Sequence, residues 1–197
     1  MPAVSTPYGF RPIRSLGGRP YATGDGASFR IPSGYGSNLF YGMPVALSGG
    51  NIVPATAGLA NYLGIFVGVE YEDPTFGTIQ RNYWPASTPV KDSKAAIAYV
   101  CTDPDAILQA QCSVAAYDAL ADVGLRIDMN LPSAPNNGST ATGLSKAGIT
   151  ATDAVDGEFL LLGIINAPDN INASGFVDVF GVVAGGLHIA RNQYVAP

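Results

Sequence analysis

The chain has 197 residues, 47% of them hydrophobic and 13% charged, with 24 glycines and 15 prolines; that much apolar side chain excludes a disordered polymer, and the length suffices for a core of its own. A net charge of −5 argues against a nucleic-acid binder that works by neutralising phosphates. With so few charged groups available to coat the surface, part of that surface is expected to be covered by a partner.

Residues 1–30 carry Arg11, Arg14, Arg19 and Arg30 against Asp25, a net +3, whereas the remainder carries six basic and 14 acidic residues, a net −8. Prolines at 2, 7, 12 and 20 and glycines at 9, 17, 18, 24 and 26 interrupt this leader so often that no regular element is expected in it. Its large apolar groups, Tyr8, Phe10, Ile13, Leu16 and Tyr21, would be poorly placed on a solvated tail. The reading that reconciles the two is an extended arm (1–30) laid along a foreign surface and attached to a β-rich body (31–197). Removing residues 1–20 would then leave a folded body.

After Arg30 short apolar runs alternate with turn chemistry. Pro44 to Leu47, Gly49-Gly50-Asn51, then Ile52 and Val53 read as a hairpin. Tyr62 to Tyr71 is the strongest strand, β-branched and aromatic, with Gly64 and Gly68 marking bulges or the close approach of another backbone. Asp73-Pro74 to Gly77 reads as a turn, and further strands are expected at Asn82 to Trp84, Ala95 to Thr102 and Ile107 to Ser113. Ser113 could cap a short helix over Val114 to Ala121, stopped by Gly124. Leu131 to Gly148 reads as an exposed loop. Glu158 to Asn166 and Phe176 to Gly185 are two more strands, apolar on both faces and so expected to be covered on both. The fold class expected is mostly β, a β-sandwich or jelly-roll-like barrel with at most one short helix.

Chemistry is sparse. His188 is the only histidine, which leaves no set for a His-based triad or metal site. Cys101 and Cys112, in a reducing cytosol, read as two buried free thiols, not a disulfide. Glu70, Glu72 and Asp73 form the densest acidic group, which reads as a solvated or Arg-binding strand end and only secondarily as an acid–base pair. Asp153, Asp156 and Glu158 lack the ligand spacing of a calcium loop. Tyr83 and Trp84 read as anchors of the β body, with a sugar-binding platform as the alternative. No run of eighteen apolar residues and no secretory leader is present, so the chain is expected in the cytosol until packaged, with no membrane partner, no cofactor and no enzymatic activity.

Taken in order, PYGFRPIRSLGGRPY, FYGMPVALSGGNIVPA, LGIFVGVEY, RNYWPAS, AYVCTDPDAILQAQ and TGLS resemble the head-decoration or cement proteins of tailed bacteriophages, those of cyanophage-like podoviruses among them. The resemblance implies a β module on the outer surface of an icosahedral head. It would bridge major capsid subunits and associate with itself, as a trimer in preference to a dimer. It also implies that Tyr8, Phe10, Arg11, Pro12 and Arg14 contact the capsid or a neighbouring copy, with Ile13, Arg19 and Tyr21 alongside. The alternative is a tail-associated β module that binds host glycans.

Overall fold

A computed structural model describes residues 5–22, 27–58, 61–153, 156–184 and 188–189. The protein is mostly β, as its composition led one to expect, and its strands form two six-stranded sheets, the first containing a five-stranded barrel.

The first sheet runs β3 (Pro44–Ser48), β4 (Asn51–Pro54), β2 (Ala27–Ile31), β7 (Ala96–Cys101), β5 (Tyr62–Asp73), β6 (Gly77–Arg81). β3 also pairs with β5, which closes the barrel and leaves β6 projecting beyond it. The predicted β3–β4 hairpin is present, with Ser48 opposite Asn51 across the Gly49-Gly50 turn. β5 is buried on both faces because Phe66, Val69 and Tyr71 fill the barrel beside Trp84, whereas Tyr62, Ile65 and Val67 face the second core. A bulge between Phe66 and Gly68 makes this possible. Inserting Val67 shifts the alternation by one residue and turns Val69 inward. Gly64 marks the backbone approach expected of it: a Cβ there would lie 2.1 Å from Cys101 O.

The second sheet runs β1 (Arg11–Ser15), β8 (Ala106–Gln111), β14 (Asp178–Val183), β13 (Phe159–Ile164), β9 (Arg126–Asn130), β12 (Gly148–Asp153). It curls towards closure, since Cys112 at the end of β8 bridges Ile149 in β12, and the Ser113 N–H donates to Ile149 O at 2.8 Å. Leu108, Ala110, Ile127, Ile149, Phe159 and Val179 share its core. A short ribbon, β10 (Gly138–Ser139) and β11 (Leu144–Ser145), joins the two halves by placing Leu144 beside Tyr41.

Four expectations need correction. The leader is not an arm free of regular structure: β1 is an edge strand paired to β8, and β2 crosses the supposed boundary at residue 30. Pro12 is tolerated because an edge strand has a side that needs no ladder donor. The helix expected over Val114 to Ala121 is a series of turns. Its backbone is committed elsewhere: Ala116 N–H donates to Gly175 O at 2.7 Å, Leu120 N–H to Asn172 Oδ1 at 3.2 Å, and Tyr117 O accepts from Ala173 N–H at 3.1 Å. The strand expected at Asn82 to Trp84 lies earlier, as β6, and Trp84 forms an isolated bridge with Leu39. Leu131 to Gly148 is not simply an exposed loop, for Asn137, Ser145 and Ala147 are buried. β9 and β12 carried too few large apolar residues to be anticipated.

Candidate interaction surface

β1 separates the residues of the leader by the side they face. Phe10, just before the strand, is wholly buried, its ring 5.7 Å from Phe159 and its N–H donating to Gly42 O at 2.8 Å. That backbone contact needs glycine on both sides, since Gly9 and Gly42 have φ of +83° and +80° and a Cβ on Gly9 would meet Gly42 O at 2.7 Å. Pro12 is buried too. Phe10 is therefore a core residue of this chain and not a contact to a foreign surface.

Outward lie the others. Ile13 and Arg14 are exposed, and the chain folds back over the strand's edge, with Ser15 N–H donating to Arg19 O at 2.8 Å and Tyr21 N–H to Ile13 O at 3.2 Å. This return brings exposed Leu16 and Arg19 next to Ile13 and Arg14. The outcome is a compact strip of two apolar and two cationic side chains on an otherwise acidic chain. The bulge between Pro12 and Arg14 shifts the alternation by one residue, so that Arg14 faces outward together with Ile13.

Tyr8 and Arg11 belong to a different setting. The Arg11 guanidinium stacks 4.2 Å above the Tyr8 ring, and the Tyr8 hydroxyl faces the Asp178 carboxylate. Among the described residues, Tyr8 Oη and Asp178 Oδ1 are buried without a hydrogen-bond partner. Burial raises the Asp178 pKa, opposed by the side chains of Tyr8 and Gln111 and by the charge of Arg11. Burial, and then the Asp178 charge, raise the Tyr8 pKa. A folded-state pKa above the unfolded value means that the native state binds the proton more tightly. The carboxylate thus costs stability as pH rises from the unfolded through the folded pKa, and the cost vanishes below the unfolded value. Asp178→Asn is expected to raise the urea midpoint at pH 7 and to leave it unchanged at pH 3.

The remaining candidates have structural partners. Trp84 is fully buried, its indole N–H donating to Tyr35 O at 3.3 Å and its ring edge-on to Tyr71 at 5.5 Å; Tyr83 stacks on Phe40 at 5.7 Å. Both are anchors of the β body, and the indole is not on offer as a sugar platform. Glu70 accepts from Gln80 at 2.6 Å and from the Tyr99 hydroxyl at 3.3 Å, Glu72 pairs with Lys91 at 2.7 Å, and Asp73 caps its turn by accepting from the N–H groups of Thr75 and Phe76. An acid–base pair would need two of these carboxylates to converge. Cys101 and Cys112 are buried and not joined in a disulfide, and burial pushes the Cys112 thiol up. His188 is buried edge-on to Tyr62 at 5.5 Å. Among the described residues no group of three or more His, Cys, Asp or Glu could hold a metal ion.

Sequence reasoning missed two surface features. Phe76, at the tip of the β5–β6 hairpin, is 80% exposed, and Leu120 and Ile171 are half exposed where the turns after β8 meet those before β14. An aromatic inside Asp-Pro-Thr-Phe-Gly was the available signal for the first. The second depends on two segments some fifty residues apart coming together, for which the sequence carries no signal. A groove of about 500 Å³ runs beside β6, lined by Val67, Gly68, Gln80, Arg81, Asn82 and Tyr99. Compared with known proteins, the chain matches no family model, no curated protein and no solved structure.

Proposed function

We propose that this chain is a structural virion protein, a cement protein that binds the outer surface of a tailed-phage head and bridges neighbouring major capsid subunits without catalysing a reaction. The observation that carries the reading is the outward strip of β1 and its return turn, where Ile13 and Leu16 lie beside Arg14 and Arg19. Arginine is suited to forked hydrogen bonds with carboxylates, and flanking apolar groups exclude water from such pairs. The strip is held on a strand anchored by Phe10, so little conformational freedom is lost on docking. Each contact is small. Repeated over a shell, attachment at one capsid subunit raises the effective concentration for the next, and modest contacts become durable. The sequence resemblance to head-decoration proteins points the same way.

Co-sedimentation with heads stripped of this protein tests the reading. The wild-type chain is expected to bind, and Arg14→Glu/Arg19→Glu to lose roughly tenfold or more in affinity, by the usual cost of reversing charges at an interface. Both side chains are exposed, so a cooperative urea transition should show that the double variant is folded. Undiminished binding by that folded variant would overturn the role of the strip.

A further inference from the structure

We infer that two copies of this chain pair through β6, edge to edge and antiparallel, each seating its Phe76 in the other's groove. The first observation is the edge itself. β6 pairs with β5 on one side only, and among the described residues no backbone hydrogen bond reaches its other side. Its sequence, Gly-Thr-Ile-Gln-Arg, has neither a proline nor a bulge to prevent a further strand from joining. The second observation is Phe76. Asp73 Oδ1 accepts from Thr75 N–H at 2.8 Å and from Phe76 N–H at 3.0 Å, which fixes the backbone of the turn from which an 80% exposed aromatic ring projects. An aromatic on a preorganised turn is what an interface anchor requires.

The third observation identifies the occupant. Antiparallel pairing of two β6 strands about Ile79, the middle residue, sets Thr78 opposite Gln80 of the second copy, Gly77 opposite Arg81 and, one step further, Phe76 opposite Asn82. Asn82, Arg81 and Gln80 are among the residues that line the groove. The spacing along one strand therefore delivers the ring of each copy to the concavity of the other. Its wall is braced, as Glu70 holds both Gln80 and the Tyr99 hydroxyl. A single two-fold axis satisfies both edges and both rings twice, the self-complementarity of an isologous contact. A foreign strand would have to bring its own aromatic at the same spacing. The inference goes beyond the capsid reading and does not depend on it. It also favours a two-fold over the three-fold association that the resemblance implies.

Sedimentation equilibrium on the purified full chain, over a range of micromolar concentrations, tests it. The wild type is expected to be a dimer and Phe76→Ser, with unchanged circular dichroism and thermal midpoint, to raise the dimer dissociation constant roughly tenfold or more, as for other interface anchors. Thr78→Cys mixed with Gln80→Cys should form a crossed disulfide on mild oxidation, whereas neither alone should link to itself, because like residues lie beyond the reach of about 7 Å between Cα atoms. A wild-type chain that stays monomeric, a dimer indifferent to Phe76→Ser, or self-linking by either single cysteine would overturn the proposal. A monomeric wild type whose head binding falls with Phe76→Ser would also overturn it and assign the ring to the capsid, leaving the capsid reading intact.

Discussion

Phe10→Ala is expected to lower the unfolding free energy by about 3–5 kcal/mol, the range for emptying a fully buried aromatic site. Urea denaturation of the two proteins measures it. The ring is wholly buried and tilted against Phe159 at 5.7 Å, and its backbone is fastened to Gly42, just before β3 of the first sheet, while the following residues pair with β8 of the second. Truncation therefore opens a cavity where both halves meet, and crossing glycine backbones at Gly9 and Gly42 leave little freedom to collapse into it. A comparison on the same strand fixes the interpretation: Ile13→Ser, on an exposed side chain, should shift stability by no more than about 0.5 kcal/mol. The same geometry reverses the expectation for a deletion. Without residues 1–20 the chain loses β1 and Phe10 together, so the product should fail to show a cooperative transition. A truncated chain that unfolds cooperatively near the wild-type midpoint would show that the leader is an appendage after all.

Why the leader was misread says how far this sequence can be read. Proline and glycine density led to the expectation of no regular element in the leader, but an edge strand of five residues with one bulge accommodates Pro12 and needs only one partner, and over Ala27–Ile31 the chain, free of proline and glycine, forms the central strand β2. The aromatics were rightly judged unfit for water. What the sequence could not supply was whether Phe10 finds its apolar surroundings in another molecule or in Phe159, 149 positions along the chain. The strands that were legible, β3, β4, β5, β7, β8, β13 and β14, are those with dense Val, Ile and aromatic residues bounded by turn residues. β9 was hidden because the sheet buries only one face of it, leaving Ile127 and Met129 thinly spread, and β12 because Ile149 is its single large apolar residue. Likewise the helix expected over Val114 to Ala121 obeyed local propensity and lost to hydrogen bonds with a turn some fifty residues away. At the candidate interaction surface, Arg14 and Arg19 were singled out by the charge of the leader and by the resemblance, whereas Phe76 and the groove beside β6 required the register of β5 against β6.

The two halves are also held by a buried charge, and its removal is the second large effect expected. Glu158 is 7% exposed; its Oε1 accepts from Gly58 N–H at 2.7 Å and its Oε2 from Met129 N–H at 2.8 Å, while its own carbonyl accepts from Ala184 N–H at 2.8 Å. Gly58 follows β4 of the first sheet and Met129 lies in β9 of the second, so one carboxylate spans the junction. It does so with charge-assisted bonds, which are stronger than neutral ones. Glu158→Ala leaves two amide donors without their acceptor, at about 1–3 kcal/mol each when the group stays buried, and the expected loss is about 2–5 kcal/mol by urea denaturation. Glu158→Gln preserves the shape and one acceptor but turns an NH2 group towards the other amide, so its loss should fall between wild type and alanine. Amide hydrogen exchange gives the sharper result. In Glu158→Ala the amides of Gly58 and Met129 should lose protection beyond the global change, whereas those of β7, in the barrel of the first sheet, should follow global stability alone. Equal loss at all these sites would mean that Glu158 serves the core only by filling space, and that the halves are joined by apolar packing around Phe10, Tyr62 and Val67 without help from the charge.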